Sequence, residues 1–148
     1  ETGTEDTEFN CRIYQKSCQA VIIDIPMYYW VQRPTSITHQ KVNPRYIDRA
    51  DSYYLCLQNI PKENTVYRGC CLEKLFKMII NVRYHASNTP YRHLAHLTAK
   101  RLKKQTANEF LKNRHIPFHI KLSLLSFYYI PPLYSGFMKL CETKARKK

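Results

Sequence analysis

Six cysteines, at positions 11, 18, 56, 70, 71 and 141, reach across nearly the whole chain and constrain its fold more than any other feature. No two of them are spaced C-x-x-C, so the usual pattern of a zinc ribbon, a zinc finger or a thioredoxin-like redox site is missing. An even, widely spread set without metal spacing reads as cross-links made in an oxidising compartment. The sequence therefore predicts disulfides drawn from Cys11, Cys18, Cys56, Cys70, Cys71 and Cys141, with the connectivity open. Side chains of adjacent residues diverge, so Cys70 and Cys71 are expected to tie one segment to two different places.

With 148 residues, 44% of them hydrophobic and 13% aromatic, the chain can build one core but hardly two. Twelve tyrosines against three glycines give it much amphipathic ring surface and few hinges. Residues 1–10 are acidic and without apolar pattern, and read as a flexible arm. Residues 11–141 read as a single disulfide-stabilised α+β domain, and residues 142–148 as a basic tail. No secretory signal and no apolar run of membrane-spanning length is visible, so an exported protein with this sequence is expected to be a mature form or an excised ectodomain. No N-x-S/T acceptor occurs, which would leave a basic surface without N-linked sugar.

The apolar period changes along the chain. "CQAVIIDI" puts Val21, Ile23 and Ile25 on one side and Ile22 and Asp24 on the other, and "MYYWVQ" continues in rings and branched residues, so strands are expected here. Residues 33–51 are polar, with Pro34 and Pro44, and read as a connection before a short strand, "SYYLCLQ". Leu72, Leu75, Phe76, Ile79 and Ile80 then follow the i, i+3, i+4, i+7, i+8 template of a helix with one buried stripe. A second helix is signalled by Thr89 at the N-cap and Pro90 after it, with Leu94, Ala95, Ala99, Leu102 and Phe110 facing inward. Past Pro117, alternation of Phe118, Ile120, Leu122 and Leu124 with polar residues predicts a final strand, ended by Pro131 and Pro132. The predicted fold class is α+β: N-terminal strands, two central helices and a C-terminal strand in one disulfide-stapled domain.

Charge points to the surface that would work. The formal net charge is +13, yet it is regional: "ETGTEDTE" has no base, while residues 90–121 hold eight bases and a single acid, Glu109. Within "LTAKRLKKQ", Lys100, Arg101, Lys103 and Lys104 fall opposite the apolar stripe of the second helix. The pattern of two bases, a leucine and two more bases resembles heparin-binding motifs, since a helix presenting cations one turn apart meets several groups of a linear polyanion at once. Arg92, Lys112 and Arg114 would form the periphery. Leu97 and Leu111 fall on the basic side, where a partner would cover them.

Catalytic patterns are sparse. His93 and His96 are one turn apart but have no Cys, Asp or Glu at ligating spacing, so no metal site is predicted. The glycines at 3, 69 and 136 cannot form a phosphate-cradling loop, there is no G-x-S-x-G, and no cofactor is expected. "PKENT", with Lys62, Asn64 and Thr65, and "PFHIKL", with His119, resemble the lysine-asparagine-threonine and late-histidine elements of the pancreatic-type ribonucleases. The lysine here is not preceded by cysteine, its spacing to asparagine is one residue short, and no histidine precedes it on a recognisable N-terminal helix. The ring clusters "MYYW", "SYY" and "FYY" serve either sheet packing or an interface.

These features predict a secreted binding protein, not an enzyme: a growth-factor- or cytokine-like ligand, or an ectodomain module. It would engage a cell-surface receptor and hold sulfated glycosaminoglycan on the basic helical face. The alternatives are a nucleic-acid-binding protein and a secreted ribonuclease.

Overall fold

The stripe Leu72, Leu75, Phe76, Ile79 and Ile80 decides the architecture, because all five side chains are almost wholly removed from solvent and need apolar partners on more than one side. The computed structural model describes residues 5–17, 19, 21, 24–25 and 42–145. Helices supply those partners: α1 (Glu5–Lys16), α2 (Pro44–Asn59), α3 (Thr65–Ala86), α4 (Arg92–Lys112), α5 (Phe118–Tyr129) and α6 (Pro131–Ala145). Helix α3 carries the stripe and is the central element. Helix α2 brings Ile47, Ala50 and Leu57 against it, and α4 brings Ala95, Ala99, Leu102 and Phe110. Phe76 and Phe110, both fully buried, stack with ring centroids 3.9 Å apart and planes 17° from parallel, which pins α4 to α3. Toward its C-terminal end α3 is covered by α5, through Leu124 and Tyr128, and by α6, where Tyr134 meets Tyr84 edge-on at 5.3 Å.

The α+β expectation is overturned, since no strand exists among the described residues. "SYYLCLQ" lies inside α2, whose start was read as a connection. Asn43 is its N-cap, accepting the Tyr46 amide at 3.0 Å, and Pro44 occupies the first turn, where its missing N–H costs nothing. The predicted C-terminal strand is α5. Phe118 and Leu122 are exposed, while Leu124 and Tyr128 are buried and Ile120 partly so, a spacing of i, i+4, i+8 that the alternation at the start of the segment conceals. Pro131 and Pro132 do not make an extended turn; they open α6. The first two predicted strands fall mostly outside the described residues. Of those described there, Gln19, Val21, Asp24 and Ile25 are in no strand, and Val21 is 85% exposed. The acidic start belongs to α1 from Glu5 onward.

Disulfide stapling is corrected as well. No two cysteines of the described residues are at bonding distance. Cys11 Sγ donates to the Cys56 carbonyl at 3.7 Å and Cys71 Sγ to the Tyr53 carbonyl at 3.4 Å, so these sulfurs act as small, buried packing groups between helices. Cys70 faces outward. Cys18 and the side chain of Cys141 lie outside the described residues. Helix α3 is not entered through covalent bonds either: Asn64 caps it, accepting the Tyr67 amide at 3.2 Å.

Candidate polyanion-binding face

Helix α4 begins at Arg92, with Tyr91 as a cap residue that makes no side-chain bond. Thr89, expected at the cap, instead closes the preceding turn: its hydroxyl donates to the Ala86 carbonyl at 2.9 Å and accepts the Tyr91 amide at 3.2 Å. The inward face consists of Ala95, Thr98, Ala99, Leu102, Thr106 and Phe110. Thr106 satisfies its buried hydroxyl on the Leu102 carbonyl at 2.8 Å. Leu94, predicted to face the core, is exposed, as are Leu97 and Leu111. At about 100° per residue, His93, Leu97, Lys100, Lys104 and Leu111 share the ridge opposite the core.

The four cations read as one cluster divide into three roles. Lys100 and Lys104, one turn apart on that ridge, are exposed and form no ion pair among the described residues. Arg101 is turned toward α2, where its guanidinium pairs with Asp51. Burial raises the Asp51 carboxyl above its ordinary range, with Arg101 pulling the other way and neighbouring Asp48 adding to the rise. Lys103 is turned toward α5: its ammonium donates to the Tyr129 hydroxyl at 2.5 Å and lies over the rings of Tyr129 and Tyr128, 4.2 and 4.6 Å from their centroids. At the periphery Arg92 and Lys112 are exposed at the two ends of α4, and Arg114 follows the helix, also exposed, with its Nε donating to His115 Nε2 at 3.4 Å.

Glu109, the lone acid of the segment, does not offset the outward cations. Its carboxylate grips the buried Arg68 of α3 by two bonds, to Nε at 2.5 Å and to Nη2 at 2.8 Å. The remaining Arg68 nitrogen, Nη1, donates to the carbonyls of Leu57 at 2.8 Å and Ile60 at 2.5 Å, satisfying the open C-terminal end of α2. The hydrogen bond that Arg68 donates to Glu109 raises the guanidinium above its ordinary range, against the burial that opposes it. One guanidinium thus fastens three helices. The sequence reading missed this group, although Arg68 stands one turn before Leu72 on the apolar stripe and Glu109 is the single acid available downstream.

Next to it the helices approach closely. Asn113 donates to the Thr65 carbonyl at 2.9 Å and accepts the His115 amide at 2.9 Å, and its amide oxygen would lie only 2.9 Å from a Cβ placed on Gly69. The Thr65 hydroxyl in turn meets His115 Nε2 at 3.1 Å. The residues that resemble ribonuclease elements are used otherwise: Asn64 and Thr65 begin α3, and His119 is exposed on the first turn of α5 rather than on a strand.

Cys11 and Cys71 are packed between helices. Burial, reinforced by Cys11, pushes the Cys71 thiol up to about 12, and burial together with a hydrogen bond to Cys11 takes the Tyr67 phenol to about 12. Among the described residues no group of three metal-ligating side chains is assembled, and no helix is long and apolar enough to cross a membrane. Comparison of the chain with family models, with curated proteins and with solved structures gives no match in any of the three.

Proposed function

We propose that the protein works by binding rather than turnover, holding a linear polyanion along the outward ridge of α4. The observation that carries this reading is the direction of charge. Eight bases lie between residues 90 and 121, and the one acid among them, Glu109, is engaged with Arg68. The field at this surface is therefore uncompensated from within the helix, which attracts phosphate or sulfate repeats and speeds their encounter. Lys100 and Lys104 are the central contacts, with Arg92, Lys112 and Arg114 around them. Secretion was expected from cross-linked cysteines, and no two cysteines of the described residues are at bonding distance; the ligand class rests on the basic face.

A double variant, Lys100→Ala with Lys104→Ala, is expected to elute from immobilised heparin at clearly lower salt than the parent. Arg101→Ala should shift elution less, because Arg101 is already paired with Asp51. Unchanged elution of the double variant contradicts the site. A second reading, engagement of a protein partner such as a cell-surface receptor, is favoured by the exposed apolar side chains of Ile130, which ends α5, and of Leu133 and Phe137 in α6.

A further inference from the structure

The end of α5 places an aromatic ring against Lys103 of α4. Tyr129 is 63% exposed, and its position is held from several sides. Its neighbour Tyr128 is buried, with the Arg83 guanidinium 4.5 Å from the ring centroid and donating to the Tyr128 carbonyl at 2.8 Å. The two tyrosine rings meet edge to face at 5.3 Å and 82°. Lys103 then bonds the Tyr129 hydroxyl while lying over both rings. At the other end of the same helix pair, Lys121 Nζ donates to the Leu111 carbonyl at 2.8 Å, so α5 runs antiparallel beside α4. An exposed ring bonded by Lys103 therefore stands beside α4, the helix that also carries Lys100 and Lys104 on its outward ridge.

We propose that this arrangement binds single-stranded nucleic acid, with a base stacked on Tyr129 and the flanking phosphates on Lys100, Lys103 and Lys104. The inference rests on the polyanion reading above and narrows it. A sulfated sugar presents no π-face to a tyrosine, and a duplex keeps its bases stacked within; an unpaired strand offers both a ring and a charged backbone. Sequence tolerance follows, because every base can stack. Lys103 serves both components: it bonds the Tyr129 hydroxyl and brings a positive charge to the ring.

Fluorescence anisotropy with a labelled oligo(U) of about 12 nucleotides, a matched duplex and labelled heparin tests this. The intact protein should bind oligo(U) more tightly than the duplex. Tyr129→Ala should weaken oligo(U) binding about tenfold, with the duplex and heparin changed by less than about twofold and the far-UV circular dichroism preserved. Tyr129→Phe should retain most of the oligo(U) affinity. If Tyr129→Ala binds oligo(U) like the parent, or loses heparin equally, stacking is refuted; if heparin binds and neither nucleic acid does, the ligand is a sulfated sugar and the inference falls. Lys100→Ala with Lys104→Ala should weaken all three probes, and its failure to do so would overturn the polyanion reading itself.

Discussion

Arg68 shows how one side chain can set both the packing and the surface of this molecule. A guanidinium at this depth is tolerable only with a carboxylate and carbonyls around it, and Glu109, Leu57 and Ile60 supply them. Removing the carboxylate leaves the charge buried. Glu109→Ala is expected to cost about 3 kcal/mol, the low end for a broken buried pair because Glu109 is itself partly exposed; urea denaturation measures it, and a loss under about 1 kcal/mol would mean the pair is no stronger than a surface contact. The same residue scale governs behaviour in alkali. Cys71 rises from 9.0 to about 12 and Tyr67 from 10.0 to about 12, so folding holds both in their neutral forms. Their contribution is complete below the unfolded thiol's value and is lost as pH climbs from about 9 toward 12. Stability should fall by up to about 1.4 kcal/mol per pH unit where Cys71 titrates only on unfolding, and Tyr67, which is partly exposed and screened by solvent, should add less. Chemical denaturation at stepped pH checks this, and Cys71→Ala should flatten the decline; an identical slope in that variant would remove Cys71 as its source.

At the scale of elements, the parts of the sequence that could be read were those where periodicity ran long enough to be unambiguous. The stripe of α3 from Leu72 to Ile80 is buried as its spacing implies, and Ala95, Ala99, Leu102 and Phe110 face the core from α4. Helices α2 and α5 were illegible for a physical reason. Tyrosine, cysteine and leucine in "SYYLCLQ" suit a pleated surface as well as a helix, and a window beginning at Ser52 misses the start signal more than two turns earlier, at Asn43 and Pro44. In α5 the alternation from Phe118 to Leu124 follows a period of two, but half of those apolar side chains point to solvent, and only burial by α3 selects Leu124 and Tyr128. The pairing of a small polar cap with proline was read at Thr89 and Pro90, where the chain turns, and overlooked at Asn43 and Pro44, where a helix begins. That signal has weight: Asn43→Ala should destabilise the protein by about 1 kcal/mol, through the amide bond it gives up at Tyr46. A thermal scan would show the loss. No change in midpoint would mean that α2 is held by its packing alone.

For the whole molecule, charge and cysteine were the two compositional cues. Six thiols suggested cross-links, yet helices bury sulfur without needing to join it, as Cys11 and Cys71 do through carbonyl contacts. Net charge of +13 predicted an anionic partner, and the cluster of Lys100, Arg101, Lys103 and Lys104 located the helix but not the division of labour on it. Only tertiary structure reveals that Arg101 answers Asp51, that Lys103 is held by tyrosines, and that Glu109 pairs with Arg68. The central claim is that Lys100 and Lys104 meet a polyanion directly. Its most direct test is the salt dependence of affinity, measured for oligo(U) and for heparin with the parent chain and with Lys100→Ala plus Lys104→Ala. Loss of two backbone contacts should flatten the slope of log affinity against log salt by about 1.4 for the single strand, about 0.7 per contact, and in the same direction for heparin. Slopes that coincide for both ligands would contradict the account.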